Sequence, residues 1–206
     1  MKLSVQNLSV SRGGQPLLAN VSFDVSAGQA LILRGPNGLG KTTLLRTIAG
    51  LQPPNIGTVE APEDSLVYAA HSDGNKSTLS VRENLTFWAD IFGQSAIDQA
   101  LDDFDLHDLI DRAAGTLSAG QKRRLGLARL SVTGRTIWIL DEPTVSLDKW
   151  SVDRFANVIR RHLANGGIAV IATHIDLGLE DSATVLDLEQ FKAQEDQSPT
   201  SDEAFL

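Results

Sequence analysis

The sequence predicts an α/β fold: a mixed sheet core with an antiparallel N-terminal β part and an inserted helical segment. Three observations support this prediction. The N-terminal residues alternate between apolar and polar, three later runs are continuously apolar, and residues from about 72 to 134 follow a helical pattern. Alternation is typical of strands with one solvated face, whereas continuous apolar runs are typical of strands buried on both faces of a parallel sheet. Helices that alternate with such buried strands complete an α/β arrangement.

The N-terminal part contains the alternating segments. Residues 3–10 and 21–25 each alternate and predict two strands, with a turn at Gly13–Gly14 between them. Residues 30–34, with the sequence ALILR, form a continuous apolar run that predicts a buried strand. That strand leads directly into Gly35, so a turn must follow it.

Helical and strand patterns alternate through the rest of the chain. A helix is expected from Lys41 to Gly50, and Ser80 with Glu83 has the spacing of a capping box at the start of another. Residues 189–206 are polar and acidic, and we expect them to be a disordered tail beyond a domain that spans 1–188. The remaining strands are expected at 65–70, 136–143, 168–174 and 183–188, and the remaining helices within 80–134 and over 148–164.

The composition limits the classes of function. The chain has 206 residues and a net charge of -8, which suggests one domain and disfavours sequence-independent nucleic-acid binding. Cysteine is absent, which excludes disulfides, thiolate metal sites and a cysteine nucleophile. We see no signal peptide and no apolar run of membrane-spanning length, so we expect any membrane role to require a partner.

A glycine-rich loop provides the strongest chemical signal. Residues 35–43, with the sequence GPNGLGKTT, match G-x-x-x-x-G-K-[ST] between a predicted buried strand and a predicted helix. Glycines let the backbone N–H groups face a phosphate, and the helix N-terminus adds partial positive charge. Lys41 can reach the β- and γ-phosphates, and the Thr42 hydroxyl can bind Mg²⁺. The alternative is a strand-to-helix turn without a ligand. The expected nucleotide contacts are Gly35, Pro36, Asn37, Gly38, Leu39, Gly40, Lys41, Thr42 and Thr43.

Two carboxylates and a histidine follow the later buried strands. Asp141 and Glu142 end the strand IWILDE, and His174 ends the next one. Ligands of open α/β sheets bind at the carboxyl ends of the strands, so Asp141 is placed to hold Mg²⁺ and Glu142 to act as general base. His174 could contact the γ-phosphate. Solvated strand ends and a capping histidine are the alternatives.

A second stretch also has the character of an anion site. Residues 117–130, with the sequence LSAGQKRRLGLARL, begin with small residues and continue as a basic helix. An amphipathic core helix with a solvated basic run is the alternative. The residues alone leave open whether such a site serves this chain's nucleotide or another chain's.

The motifs together, in this order, resemble the ATP-binding subunits of ABC transporters. The resemblance covers about 1–188 and rests on GPNGLGKTT (Walker A), LSAGQ (signature), WILDEP (Walker B), SLD at 146–148 (D-loop) and THIDL at 173–177 (switch histidine). It implies a P-loop NTPase fold of the ABC type, ATP and Mg²⁺ as cofactors, and a head-to-tail dimer with shared ATP sites. The residues implied as catalytic are Glu142, His174 and Lys41, and those implied as metal ligands are Thr42, Asp141 and His71. Ser118, Gly120 and Gln121 are implied to face the γ-phosphate of a second copy, with Asp148 coupling the sites.

Three positions depart from the family pattern. No aromatic residue near Arg12 is available to stack on adenine, His71 stands where glutamine is usual, and Ala119 replaces a glycine. Alanine is largely confined to negative φ, so the shared-site hypothesis requires a backbone that Ala119 can adopt.

Residues 69–88, with the sequence AAHSDGNKSTLSVRENLTFW, resemble the haem-exporting branch of the family that serves cytochrome c maturation. That resemblance implies a peripheral ATPase on the cytoplasmic face of the inner membrane, with an integral membrane permease as partner. The four histidines have no haem-attachment spacing, so we expect no direct haem binding. A transporter of lipid, peptide or drug, a soluble ABC-type ATPase and a non-hydrolytic regulatory module are the alternatives.

Overall fold

A computed structural model describes residues 1–193, which form eight strands in two sheets together with five α-helices. The strands are β1 (Lys2–Arg12), β2 (Gln15–Ser26), β3 (Ala30–Arg34), β4 (Ile56–Glu60), β5 (Leu66–Ala69), β6 (Ile137–Asp141), β7 (Ile168–Ala172) and β8 (Ala183–Asp187). The helices are α1 (Lys41–Ile48), α2 (Val81–Ile91), α3 (Asp98–Phe104), α4 (Ala119–Val132) and α5 (Lys149–Ala164). No helix of the described part is both long and apolar enough to span a membrane.

The two sheets separate the strand directions. One sheet is antiparallel in the order β2-β1-β4, and the other is parallel in the order β5-β6-β7-β3-β8. The prediction of an α/β fold with an antiparallel N-terminal part is confirmed. The two strand directions occur in separate sheets, and neither sheet is itself mixed. Strand β4 is absent from the sequence-based prediction because none of its five residues is buried and Gly57 interrupts its alternation.

The parallel sheet lies between two apolar layers because successive side chains of its strands point to opposite faces. On β6, Ile137 and Ile139 face the layer that contains α1 and the antiparallel sheet. Trp138 and Leu140 face the layer built from α2 to α5. Both faces are therefore covered, which explains the continuous apolar runs of the central strands.

The helices α2, α3 and α4 lie between β5 and β6 in the chain, within the segment expected to be a helical insert. The predicted capping box at the start of α2 is present: Ser80 Oγ accepts the Glu83 N–H at 3.1 Å, and Glu83 Oε2 accepts the Ser80 N–H at 2.7 Å. This pair fixes the start of α2 because it satisfies two backbone donors at once.

The expected tail begins later than residue 189. Residues Leu188–Phe191 form a short 3₁₀ helix, Lys192 bridges to Leu18, and the Ala193 N–H donates to the Leu17 carbonyl at 3.0 Å. Phe191 packs against the apolar layer that contains α1 and the antiparallel sheet. Strand β2 is at the edge of its sheet, so its backbone groups are available to pair with residues 192 and 193. The expected disorder is wrong for 189–193, and residues 194–206 lie outside the described part.

Candidate functional site

The parallel sheet brings the glycine-rich loop, the carboxylates and the histidine to one edge. In the register of the sheet, Leu33 of β3 pairs with Ala172 of β7, and Ala172 also pairs with Asp141 of β6. The residues that follow these strand ends therefore start side by side. Glu142 extends this pairing, because its N–H donates to the Ala172 carbonyl at 2.9 Å.

The glycine-rich loop has a backbone that other residues would not adopt easily. Gly40, the N-cap of α1, has φ of 114°, and a Cβ there would lie 3.0 Å from the Leu17 Cβ. A Cβ on Gly35 would lie 2.6 Å from the Leu39 Cδ2. No side chain caps the start of α1, so its first N–H groups are without a side-chain acceptor. Such an end is suited to binding an anion.

Lys41 lies at the base of the loop. Its side chain is buried, and its Nζ donates to the carbonyls of Gly35 at 2.7 Å and Pro36 at 3.1 Å. The same Nζ lies 3.4 Å from His174 Nε2. The ammonium group is therefore held by weak neutral acceptors, which phosphate oxygens could replace with a gain in charge-assisted bonding.

Glu142 and His174 form the next part of the site. His174 Nε2 lies 3.4 Å from Glu142 Oε1, so the imidazole is placed between the carboxylate and the Lys41 ammonium. Glu142 has φ of 46°, in the left-handed region that non-glycine residues seldom occupy. Local backbone strain of this kind is concentrated at functional sites, and here it falls on the expected general base.

Asp141 is almost fully buried and has a specific partner. The hydroxyl of Tyr68 donates to Asp141 Oδ2 at 3.0 Å. Burial, followed by the nearby Asp141 charge, raises the pKa of Tyr68 to about 12, so the hydroxyl keeps its proton and remains a donor. Tyr68 lies in the strand expected at 65–70, but only the sheet order, in which β5 pairs with β6, brings it to Asp141, so the sequence did not indicate it.

A cavity of about 230 Å³ lies between the glycine-rich loop, Asp141 and Glu142. Its chemistry fits a magnesium nucleotide: an ammonium group, hydroxyls, loop N–H groups and two carboxylates meet there. Among residues 1–193, no three His, Asp or Glu side chains are grouped closely enough to hold a metal ion. The lining residues are Arg12, Leu17, Asn37, Gly38, Gly40, Lys41, Thr42, Thr43, Asp141 and Glu142.

Leu39 and His71, which were expected to bind the nucleotide or the metal, do not line this cavity. The Leu39 side chain packs into the apolar layer beside α1, so only its backbone is available to a ligand. His71 is exposed after β5 and is not part of the cavity lining, and its carbonyl accepts a bond from Arg123 at 3.1 Å. A metal role for His71 stays a prediction. Leu17 is a lining residue that the sequence did not indicate, and it supplies an apolar side chain in the absence of an aromatic one.

The signature residues form the first turn of α4 and lie outside that cavity lining. Ser118 is exposed, its Oγ accepts the Gln121 N–H at 3.3 Å, and Gln121 Oε1 accepts the Ser118 N–H at 2.9 Å. Ala119 and Gly120 are helical and neither has positive φ, so alanine is compatible with this turn. A Cβ on Gly120 would lie 3.2 Å from the Ser146 carbonyl, and this close approach explains the glycine.

Asp148 has a structural role at the start of α5. Its Oδ1 accepts the Ser151 N–H at 2.8 Å, and this bond lowers the pKa of Asp148. Asp148 is exposed at the start of α5, and its expected part in coupling two sites stays a prediction.

Comparison with known proteins identifies relatives over most of the chain. A family model described as ABC transporter matches residues 18–145. The chain is 65% identical to the cytochrome c biogenesis ATP-binding export protein CcmA of Roseobacter denitrificans, with both chains covered completely. It is 62% identical to the protein of the same name from Ruegeria pomeroyi, with 94% of each chain covered.

Solved structures agree with these sequence matches. An ABC transporter ATP-binding protein from Pyrococcus furiosus superposes with a TM-score of 0.84 at 26% identity, covering 94% of this chain and all of that one. The structure of cbiO1 from Clostridium perfringens, part of the cbiONQ transporter complex, superposes with a TM-score of 0.75 at 23% identity, over 93% of this chain and 86% of that one. At that identity, the second likeness concerns the fold alone.

Proposed function

This chain belongs to the ABC transporter family and is an ATP hydrolase of that family, and from this premise we propose that it drives the export step of cytochrome c biogenesis. In that role it is the ATP-binding subunit of a transporter for haem export or delivery. The observation that carries the proposal is the identity of 65% over the full length to a protein named for that role. The local geometry supports the chemistry independently of the name.

The chain's own residues divide the work of hydrolysis. The loop N–H groups and Lys41 bind the phosphates, and the Lys41 charge offsets negative charge as it develops on the γ-phosphate. Glu142 accepts a proton from the attacking water. His174, which lies next to both Glu142 and Lys41, orients the γ-phosphate. Thr42 and Asp141 would hold Mg²⁺, which when bound supplies Lewis-acid stabilisation of the phosphate oxygens.

A second copy of this chain would complete the site. The start of α4 presents the exposed Ser118 and the capped first turn of the helix, but it does not line the cavity that holds Lys41. We infer that it covers the γ-phosphate bound to the other copy, with Gly120 and Gln121 beside it and Asp148 at the junction. The exposed apolar side chains Val145 and Ile175, close to Glu142 and His174 in sequence, are suited to such a contact.

The other partner would be an integral membrane permease. An apolar groove of about 250 Å³ lies between α1, β5 and α2, and Leu51 at its border is 62% exposed. Its lining includes Trp88 and Phe92, aromatic residues of the type that anchor protein contacts. We propose that a permease segment with an apolar face occupies this groove, and that the subunit is a peripheral protein on the cytoplasmic face of the membrane. We propose no nucleic-acid partner and no direct contact with haem.

ATP binding and hydrolysis can be separated by two variants. Glu142→Gln removes the general base and keeps the side chain's size, so it should bind ATP and accumulate as a closed dimer. Lys41→Ala should lose most of its nucleotide affinity. Light scattering with ATP and calorimetric titration measure the two effects. Full turnover by Glu142→Gln with its permease present would refute the assigned role.

The biogenesis role is tested in cells. Deleting the gene should abolish covalent haem staining of c-type cytochromes, and wild-type protein should restore it, whereas Glu142→Gln should not. Normal cytochrome levels after deletion would refute the biogenesis role and favour a transporter for another substrate, such as a lipid, peptide or drug. A soluble ABC-type ATPase would instead purify without a permease.

A further inference from the structure

Arg123 is a buried arginine on α4, two residues after Gln121, the last signature residue. Only 3% of the residue is exposed, yet its guanidinium makes hydrogen bonds to two separate loops. In the sequence, Arg123 belongs to the basic run 122–124, which a solvated helix face could also explain. Burying a guanidinium is costly unless its N–H groups find acceptors, so this arrangement requires a physical explanation.

One set of acceptors follows β6. Arg123 Nη2 donates to the Glu142 carbonyl at 2.8 Å, and Arg123 Nε donates to the Pro143 carbonyl at 2.9 Å. These two bonds form a fork on consecutive carbonyls. Because Glu142 has an unusual positive φ, the fork also holds the backbone that sets the direction of its carboxylate.

The other set follows β5. Arg123 Nη1 donates to the carbonyls of Ala70 at 2.9 Å and His71 at 3.1 Å, and to Asp73 Oδ1 at 2.9 Å. All three nitrogens of the Arg123 guanidinium therefore donate to acceptors in these two sets. A lysine could not make these contacts together, because its single nitrogen cannot reach both loops in fixed directions.

We propose that Arg123 is a positioning residue that fixes the signature turn of each chain to the backbone of the same chain's Glu142. This inference rests on the proposed function, in which the signature turn serves the ATP of the other copy. Ser118 and Glu142 of one chain then belong to different ATP sites. Arg123 connects the two sites mechanically, through the helix on one side and the Glu142 carbonyl on the other.

The expected consequence is a loss of closure without a loss of nucleotide binding. Arg123 is not among the residues that line the cavity of Lys41, so a single chain should bind ATP as before when Arg123 is changed. Closure of the dimer requires the signature turn to keep a fixed position relative to Glu142. If the turn is mobile, it must be ordered when the dimer closes, and this costs free energy. The free energy of one hydrogen bond from a charged group is large enough that its loss would weaken closure of the dimer about tenfold.

The test uses the full chain in the Glu142→Gln background, where hydrolysis does not obscure closure. ATP is titrated while light scattering follows the dimer, and a fluorescent ATP analogue reports binding to dilute single chains. Adding Arg123→Lys should raise the ATP concentration for half-maximal dimer about tenfold or more, with unchanged affinity for the analogue. Circular dichroism verifies that the variant folds.

Arg124→Lys provides the matched control. Arg124 is the next residue on the same helix, and its Nη1 donates at 2.9 Å to the carbonyls of Phe104 and Asp105, at the end of α3, and to none of the acceptors of Arg123. The same substitution there should leave the ATP requirement for closure unchanged. Asp73→Ala, on a partly exposed loop, removes one acceptor of Arg123 and should raise the requirement in the same direction by a smaller factor.

Each outcome has a defined meaning. If Arg123→Lys closes at the same ATP concentration as its parent, or if Arg124→Lys impairs closure equally, the inference is wrong while the proposed function stands. Parallel loss of analogue affinity would show a general structural defect and would also refute it. If Arg123→Lys fails to fold, an unchanged ATP requirement in Asp73→Ala refutes the inference. If the Glu142→Gln parent never dimerises with ATP, the shared-site function fails and the inference fails with it.

Discussion

At the scale of single residues, the site depends on groups whose neighbours are distant in sequence. Lys41 and His174 are 133 positions apart, yet their side-chain nitrogens lie 3.4 Å from each other. The Lys41, Asp141 and Glu142 side chains were predictable from local motifs. The contact between Asp141 and Tyr68 was not, because it depends on the pairing of β5 with β6, which only folding establishes.

Tyr68→Phe tests the importance of that hydroxyl. The change removes the donor to Asp141 Oδ2 and keeps the ring, so the carboxylate loses its fixed orientation. If Asp141 holds Mg²⁺, half-maximal ATP hydrolysis should require about tenfold more Mg²⁺. ATP binding measured with a chelator present should stay the same. An unchanged Mg²⁺ requirement would contradict the orienting role.

At the scale of elements, close approach explains features that propensity does not. Gly126 lies inside α4, where glycine is unfavourable, but a Cβ there would lie 2.8 Å from the Asp73 Cβ. The missing side chain lets α4 contact the loop after β5. The position of α4 is therefore set by packing, whereas its start is set by the local capping box at Ser118.

Gly126→Ala measures that packing. Helix propensity alone would stabilise the fold by about 1 kcal/mol, whereas the clash with the Asp73 backbone region should cost more, about 1–3 kcal/mol. We expect a net loss of stability in urea unfolding. Lys122→Ala, on the same helix but partly exposed, should change the free energy of unfolding little. Stabilisation by Gly126→Ala would show that the loop moves away freely.

At the scale of the whole molecule, two apolar layers hold the parallel sheet, and polar groups within them make stability depend on pH. His162 of α5 stacks on Trp138 of β6 with ring centroids 3.8 Å apart, and burial lowers the pKa of His162 below its usual 6.5. The unfolded chain therefore takes up a proton at this position before the folded chain does. Stability should fall as pH decreases below about 6.5, until the folded histidine is protonated as well.

His162→Gln removes this pH-dependent contribution. The urea midpoint of the wild type should fall between pH 7.5 and pH 5.5, and the fall should be smaller in His162→Gln because glutamine does not titrate there. The exposed His107 gives a control, and His107→Gln should leave the contribution of His162 in place. An identical fall in His162→Gln and wild type would assign the pH dependence to other groups.

The sequence by itself determined the α/β class, the buried strands, the phosphate loop and the two carboxylates, because each of these depends on residues close together in the chain. Residue pattern and turn chemistry act over a few positions, so the ordered motifs also identified the family. The tertiary structure decided the edge strand β4, the ordered residues 189–193, the partner of Asp141 and the burial of Arg123. These four features depend on strand order and on the close approach of segments that are distant in the chain. Local sequence does not decide between such contacts, whereas packing of the whole molecule does.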